Sequence, residues 1–296
     1  MAIKPKITYC LWFNGQVAQA ADFYQKVFRN AKTTEVLHSA ADTPSGKAGS
    51  VLTAGFEVSG QHFLLLNGGD QFKVNPSISF MVHCDTAEEV NLLWERLSDG
   101  GSALMPLDAY PFSDRYGWVA DRYGVSWQLM LPKQAAPQRV MPSMMFVNEV
   151  YGKAEEAISY YASIFQDSKT GTVARYPAGM ASDREGTIMY SDFMLEGQWF
   201  AAMDSGHPHR FHFDEGVSFV VHCDTQEEID YYWERLTRDG REVQCGWLHD
   251  KYGVAWQIVP DILPKLLEGG DQQKAKRVMQ AMMAMVKLDI AGLEQA

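Results

Sequence analysis

The segment Val217 to Gly240, VSFVVHCDTQEEIDYYWERLTRDG, nearly repeats Ile78 to Gly101, ISFMVHCDTAEEVNLLWERLSDGG, with 14 identical residues in 24 positions. A second pair keeps the same order: DRYGVSWQLM at Asp121 to Met130 returns as DKYGVAWQIV at Asp250 to Val259. A period of roughly 130 residues is far longer than a solenoid unit, so each copy is expected to be a whole domain with its own core. Function is therefore to be sought in a site that one copy, or the pair, can build.

With 296 residues, 46% hydrophobic and 21% charged, the chain has enough apolar surface for two domains of ordinary size. No run approaches the roughly 20 apolar residues of a membrane span, and MAIKPKITY lacks the apolar core of a signal peptide, so cytoplasm is the expected compartment. Cys10, Cys84, Cys223 and Cys245 form no C-x-x-C pair and read as reduced, mostly buried thiols. A formal charge of −11 argues against nucleic acid as a partner, because sequence-independent binding to phosphate needs a basic face.

Ile7 to Phe13 reads as an apolar strand, after which Val17, Ala20, Ala21, Tyr24 and Phe28 fall at helical spacing. Three strand-like runs follow, near Thr34 to His38, Ser50 to Val58 and His62 to Leu66, with Ser59-Gly60 as a tight connection. That is one βαβββ module. The order restarts with strand Ile78 to Cys84, helix Ala87 to Asp99 and strands near Ala103, Trp118 and Val125 to Leu131. Thr86-x-x-Glu89 and Thr225-x-x-Glu228 match a capping box at the start of the duplicated helix. Its stripe Val90, Leu93, Trp94, Leu97 is answered by Ile229, Tyr232, Trp233, Leu236, which favours core over ligand for Trp94 and Trp233.

The expected organisation is domain 1 over 1–133, a linker over 134–141, domain 2 over 142–260 and a helical tail over 261–296. Before the last strand, Ala103 to Asp121 spans 19 residues where Glu242 to Asp250 spans nine. Copy one thus carries an added loop, PLDAYPFSDRYG, expected over the mouth of its site. In the tail, Ile262 to Glu268 is expected as a short helix, and Asp271 caps a second helix through Lys287. That helix is Met-rich at Met279, Met282, Met283 and Met285. Such a face suits either packing on its own domain or a homodimer seam.

FNGQVAQAADFYQKVF, VHCDTAEEVNLLWERL, CGWLHDKYGVAWQIVP and VMQAMMAMVKLDIAGLEQA resemble the PhnB-like branch of the glyoxalase/bleomycin-resistance/dioxygenase superfamily. This branch also bears the label 3-demethylubiquinone-9 3-methyltransferase. The resemblance covers essentially the whole chain, twice over. Its most specific words are W-x-x-D-x-[FY]-G-V-x-W-Q, found from Trp118 and again from Trp247. It implies an α+β fold of tandem glyoxalase-like (vicinal oxygen chelate) domains. Each would be two βαβββ modules curled into an open barrel around a concave site.

The resemblance also implies a divalent metal in some members, held by His, Glu or Gln on the first and last strands of modules. At the last strand, where a Glu is usual, both copies place an amide, Gln128 and Gln257. An amide oxygen can bind an ion but brings no charge. The usual His position falls on Ser77 and Gly216, and the opening strands offer Tyr9 and Phe146. His83 and His222 either point to the hollow near its rim or cap a strand end. Gln128 and Gln257, amid apolar neighbours, must find partners, either a ligand or protein groups such as backbone and the Trp127 and Trp256 indoles. Trp118 and Trp247 are candidate mouth residues, while Asp121 and Asp250 read as turn starters. His207-x-His209-x-x-His212 looks like a metal cluster, but it has no Cys nearby to complete a structural site.

Three functions follow. A metal-dependent vicinal-oxygen-chelate enzyme needs a Lewis acid that the substituted positions do not favour. A module binding a small apolar or aromatic molecule suits 12% aromatic residues and neutral glutamines. A methyltransferase, as the label suggests, lacks a strand followed by a Gly-rich turn and acidic residue for an adenosyl cofactor. The binding module is the reading favoured by the residues.

Overall fold

The computed structural model describes residues 5–296; Met1 to Lys4, the start of the segment read for a signal peptide, lie outside the described residues. Each apolar strand and amphipathic helix falls where the sequence pattern places it, in four βαβββ modules. The first comprises β1 Ile7–Phe13, α1 Val17–Val27, β2 Lys32–His38, β3 Val51–Val58 and β4 Gln61–Asn67. The second comprises β5 Ile78–His83, α2 Ala87–Ser98, β6 Ser102–Tyr110, β7 Ser113–Ala120 and β8 Ser126–Pro132. The third comprises β9 Val140–Phe146, α3 Ala154–Ile164, β10 Lys169–Arg175, β11 Ile188–Leu195 and β12 Gln198–Asp204. The fourth comprises β13 Val217–Cys223, α4 Gln226–Leu236, β14 Arg241–Glu242, β15 Trp247–His249 and β16 Ala255–Pro260. The tail forms α5 Leu263–Glu268, α6 Gln272–Ala284 and α7 Ile290–Gln295.

The modules join out of chain order. One mixed eight-stranded sheet runs β14-β15-β16-β13-β1-β4-β3-β2 and the other β10-β11-β12-β9-β5-β8-β7-β6. Module one therefore pairs with module four through antiparallel β1 and β13, and module two with module three through β5 and β9. Two compact units result. The first gathers residues up to Gln25 with Ala31–Lys73 and Phe213–Ala296; the second gathers Lys26–Asn30 with Val74–His212. The sequence repeats 1–133 and 142–260 and these spatial units cut across one another.

In the first unit one sheet face packs on helices through a continuous aromatic row. Tyr24 of α1 stacks on Phe56, and Phe56 on Phe63; Tyr9 meets Phe63 and Phe219 edge-on, and Phe219 reaches Trp256. All five strand residues are buried, and such pairs add about 0.5–1.5 kcal/mol each beyond burial. Tyr9 and Phe146 thus belong to helix-covered faces, which corrects the register that placed them at the hollow: Tyr9 shares its face with Phe63, and Phe146 shares its face with Met144, opposite Ile78. In the second unit Gly117 marks the helix side, since a Cβ there would lie 2.5 Å from the Trp94 ring. Trp233 of α4 is buried and donates to Glu242 at 2.9 Å, whereas Trp94 of α2 is half-buried beside Gly117.

Local signals act as expected. Ser59-Gly60 and Glu196-Gly197 are two-residue connections with both φ positive, as a hairpin matched to strand twist requires. Thr86 and Thr225 accept the N–H groups of Glu89 and Glu228 at 3.2 Å, while the Glu side chains reach back to Asp85 and Asp224. The segment expected as an added loop is instead part of a bulged hairpin, β6 with β7, whose register shifts three times along its length. The second tail helix stops at Ala284 rather than Lys287, and a third follows. Val278 and Met279 are buried in their own unit, and Met282 and Met285 pack on the same tail core. Among the described residues no helix is long and apolar enough to cross a membrane.

Asp121 and Asp250 hold the turns before the last strands. Each carboxylate accepts two backbone N–H groups, from Tyr123 and Val125 or from Tyr252 and Val254, and its second oxygen takes the indole N–H of Trp127 or Trp256 at 2.9 Å. Removing the acceptor leaves several buried donors unpaired. Asp250→Ala should therefore lower stability by about 3 kcal/mol and Asp250→Asn by less, measured by urea unfolding; a loss below about 1 kcal/mol would remove this clamp from the account.

Candidate functional site

The faces turned away from the helices carry the polar pairs. On the second unit, β5 lies beside β8 with Met81 opposite Gln128 and His83 opposite Met130, and beside β9 with Ser79 opposite Ser143 and Met81 opposite Met141. Strand alternation thus gathers Ser79, Met81, His83, Gln128, Met130, Met141, Ser143 and, from β7, Trp118 on one face. Met81, Met141 and Ala201 form a buried cluster, with Met130, Tyr190 and Trp199 packed around it.

Gln128 is 4% exposed and satisfied on both sides: its Oε1 accepts from the Tyr116 hydroxyl at 2.8 Å and its Nε2 donates to Ser79 Oγ at 2.7 Å. The indole partner considered for Gln128 is excluded, since Trp127 points to the other face and bonds Asp121. Burial first, and Tyr110 second, push the Tyr116 phenol well above its usual range, so it is a neutral donor. Trp118 stands directly opposite Gln128, half-buried, and donates to Ser126 Oγ at 2.6 Å. His83 closes the strand end, its Nδ1 2.8 Å from the Gln138 carbonyl oxygen. A carbonyl only accepts, so Nδ1 carries the proton, and burial lowers the pKa of this imidazole; it is neutral at pH 7. Ser143, on the floor of this face, is 1% exposed and its Oγ has no hydrogen-bond partner.

The first unit builds the counterpart. Gln257 is 7% exposed and donates to Ser218 Oγ at 3.1 Å; Ser218 lies opposite Cys10 on β1. Trp256, like Trp127, turns to the other face to meet Asp250. Burial raises the pKa of the Cys10 thiol to about 11, against the opposing effect of the neighbouring Gln257 and Ser218. Trp247 stands opposite Gln257 and meets Trp12 edge-on at 5.8 Å. His222 is held between Thr8 Oγ1 at 2.9 Å and the Asp261 carboxylate at 3.3 Å. The tail lies on this unit: Leu263, Val278, Leu288 and Leu293 form a core that takes in Val259. The carbonyls of Met285 and Val286 accept from Cys245 and Gly246, and Met279 meets Ser39.

A divalent ion does not fit these residues. Gln128 is committed to two hydroxyls and Gln257 to one, and the nearby carboxylates are taken by protein donors, Asp192 by Thr172 and Tyr190 and Glu215 by His249 at 2.7 Å. Among the described residues no group of three His, Cys, Asp or Glu converges as a metal would need. His207 leans to Asp183 at 3.8 Å and His209 to Ser205 at 2.8 Å, so the His207, His209, His212 motif is spread over different partners.

Sequence reasoning missed Ser143, Tyr116 and Cys10. The alternation Met141, Ser143, Met145 in VMPSMMF was readable, but which strand Ser143 faces depends on the pairing of modules two and three.

Four βαβββ modules in two eight-stranded sheets define a glyoxalase-like protein. Glyoxalase I from Zea mays has this fold, with a TM-score of 0.52 at 12% identity, over 84% of this chain and 89% of its own. A PhnB protein from Bacillus cereus is 38% identical over 43% of this chain and 98% of its own, with a TM-score of 0.40. A Staphylococcus aureus protein is 31% identical over 45% of this chain and 100% of its own, with a TM-score of 0.19. No curated protein matches significantly. The family model for 3-demethylubiquinone-9 3-methyltransferase matches residues 5–130 and again 138–259. The chain belongs to this PhnB-like family, in two copies.

His83 supplies a pH dependence of stability. Its folded pKa lies below the unfolded value, so its contribution is complete above the ordinary histidine range near 6.5 and is lost as the pH falls below it. His83→Gln should flatten the fall in unfolding free energy between about pH 6.5 and 5. An unchanged slope in the variant would exclude this role.

Proposed function

We propose that the protein binds a small, uncharged apolar or aromatic molecule on the helix-free face of the second unit. The observation that carries this reading is the character of the lining: Met81, Met141 and Ala201 at the floor, Met130, Tyr190 and Trp199 around them, and a neutral Gln128 at the centre. Methionine is unbranched and polarizable, so such a lining reshapes around an apolar guest at little cost. The few polar groups would orient the guest, as in other small-molecule sites. Trp118 and, in the first unit, Gln257, Trp247 and His222 occupy related positions, but the tail lies on that unit's sheet.

A metal-dependent oxygen-chelating reaction is the weaker reading, because Gln128 and Gln257 bring no negative charge to an ion and the nearby carboxylates Asp192 and Glu215 are bonded to protein donors. The family's name speaks of methyl transfer. Among the described residues neither sheet presents a Gly-rich turn opening a helix with an acidic residue beyond it, the pattern that holds a nucleotide cofactor in doubly wound folds.

Titration with 2-naphthol, a neutral aromatic probe, followed by tryptophan fluorescence tests the reading. Saturable quenching that survives a chelator and is weakened by Trp199→Ala is expected. Linear, non-saturating quenching would refute apolar binding; saturation abolished by the chelator would restore the metal reading.

A further inference from the structure

The floor of the second unit's face holds two hydroxyl groups directly opposite one another across β5 and β9, Ser79 and Ser143. Directly opposed residues on one face have Cβ atoms about 5 Å apart, close enough for one atom to meet both hydroxyls. Ser79 Oγ accepts from Gln128 Nε2, and Gln128 is itself fixed by Tyr116. The Ser79 proton is therefore not spent on the amide, and among the described residues the Ser79 hydroxyl donates no hydrogen bond. Ser143 Oγ has no partner at all. A buried hydroxyl left unmade costs about 1–3 kcal/mol, and along its strand Ser143 stands between Met141 and Met145, which share its face. Ser191, the other unpartnered hydroxyl, lies on the opposite face, since it pairs with Ala202, which pairs with Met144.

The first unit shows the contrast. Its equivalent of Ser143 is Cys10, opposite Ser218 as Ser143 is opposite Ser79, a buried thiol where the second unit has a hydroxyl. No second hydroxyl waits there. The hydroxyl pair is specific to one of the two units.

We propose that Ser79 and Ser143 form a twin-donor seat for one neutral acceptor oxygen, a carbonyl, on the apolar ligand of the second unit. Among the described residues no Lys or Arg bonds either serine, the exposed Lys169 lying over the Trp199 ring instead, and Asp192 stands on the same face, opposite Ala201, which is the neighbour of Ser143. A carboxylate or phosphate would be buried without countercharge beside another carboxylate, so anions are excluded from it. The ligand class is therefore an uncharged ring system bearing a ketone, aldehyde or ester carbonyl, one molecule per chain. This rests on the apolar-binding reading above.

The test compares three probes of one shape by calorimetry: 1-indanone, indane and indane-1-carboxylate. Wild type should bind one indanone per chain roughly tenfold more tightly than indane, about the discrimination one recovered buried hydrogen-bond partner provides, and should reject the carboxylate. Ser143→Ala should bring indanone down to indane's affinity and leave indane unchanged, with Cys10→Ala leaving both unchanged; unfolding midpoints confirm that the variants are folded. Equal wild-type binding of indanone and indane would overturn the carbonyl seat while sparing apolar binding. Preference for the carboxylate, or discrimination that persists in Ser143→Ala, would also overturn the seat. Binding of none of the three would overturn the apolar-binding reading itself.

Discussion

A βαβββ module leaves its opening strand with an unpaired edge, and an unpaired edge of apolar residues must be covered or joined. The whole chain is arranged by how that demand is met. β1 joins β13 and β5 joins β9, both antiparallel, so that modules distant in sequence share one sheet. The joining register then decides chemistry. Because the side-chain period is two, the pairing that buries Tyr9 against Phe219 also sets Cys10 opposite Ser218. In the other unit the register that puts Phe80 opposite Pro142 sets Ser79 opposite Ser143. Each site is assembled at a seam between modules.

The duplicated words around Gln128 and Gln257 are nearly the same, yet the two seams differ. Near Gln257 a buried thiol, Cys10, takes the place of Ser143, and tail helices pack on the adjoining strand end at Val259. Near Gln128 the longer β6–β7 hairpin brings Tyr116 to the amide, and Ser143 is left unmatched. The same Asp-to-indole clamp fixes the two turns through Asp121 and Asp250, while Ser143 and Cys10 make the faces turned from the helices differ. Fold and site are held by different side chains of the same strands.

Much of this was legible in the sequence. Period-two runs, the capping boxes at Thr86 and Thr225 and the Ser59-Gly60 turn are local signals with local causes, and they gave the modules and their helices. The turn role of Asp121 and Asp250 was readable too, although their hold on the Trp127 and Trp256 indoles was not. Partner choice between modules was out of reach, because it is set by contacts far apart in the chain and not by any local pattern. For the same reason the glutamines could be recognised as buried amides, while Ser79, Ser218 and Tyr116 could not be recognised as their partners. The register of the opening strands was read one residue out, which turned Tyr9 and Phe146 to the wrong face.

The central claim is that the methionine-lined face of the second unit receives the ligand. Methyl-carbon-13 NMR of methionine-labelled protein, with and without 1-indanone, tests it most directly, since the methyl resonances can be assigned one by one through Met→Leu variants. The account predicts that Met81, Met130 and Met141 shift on addition while Met279 and Met282 of the tail stay in place. Shifts confined to the tail methionines would contradict it.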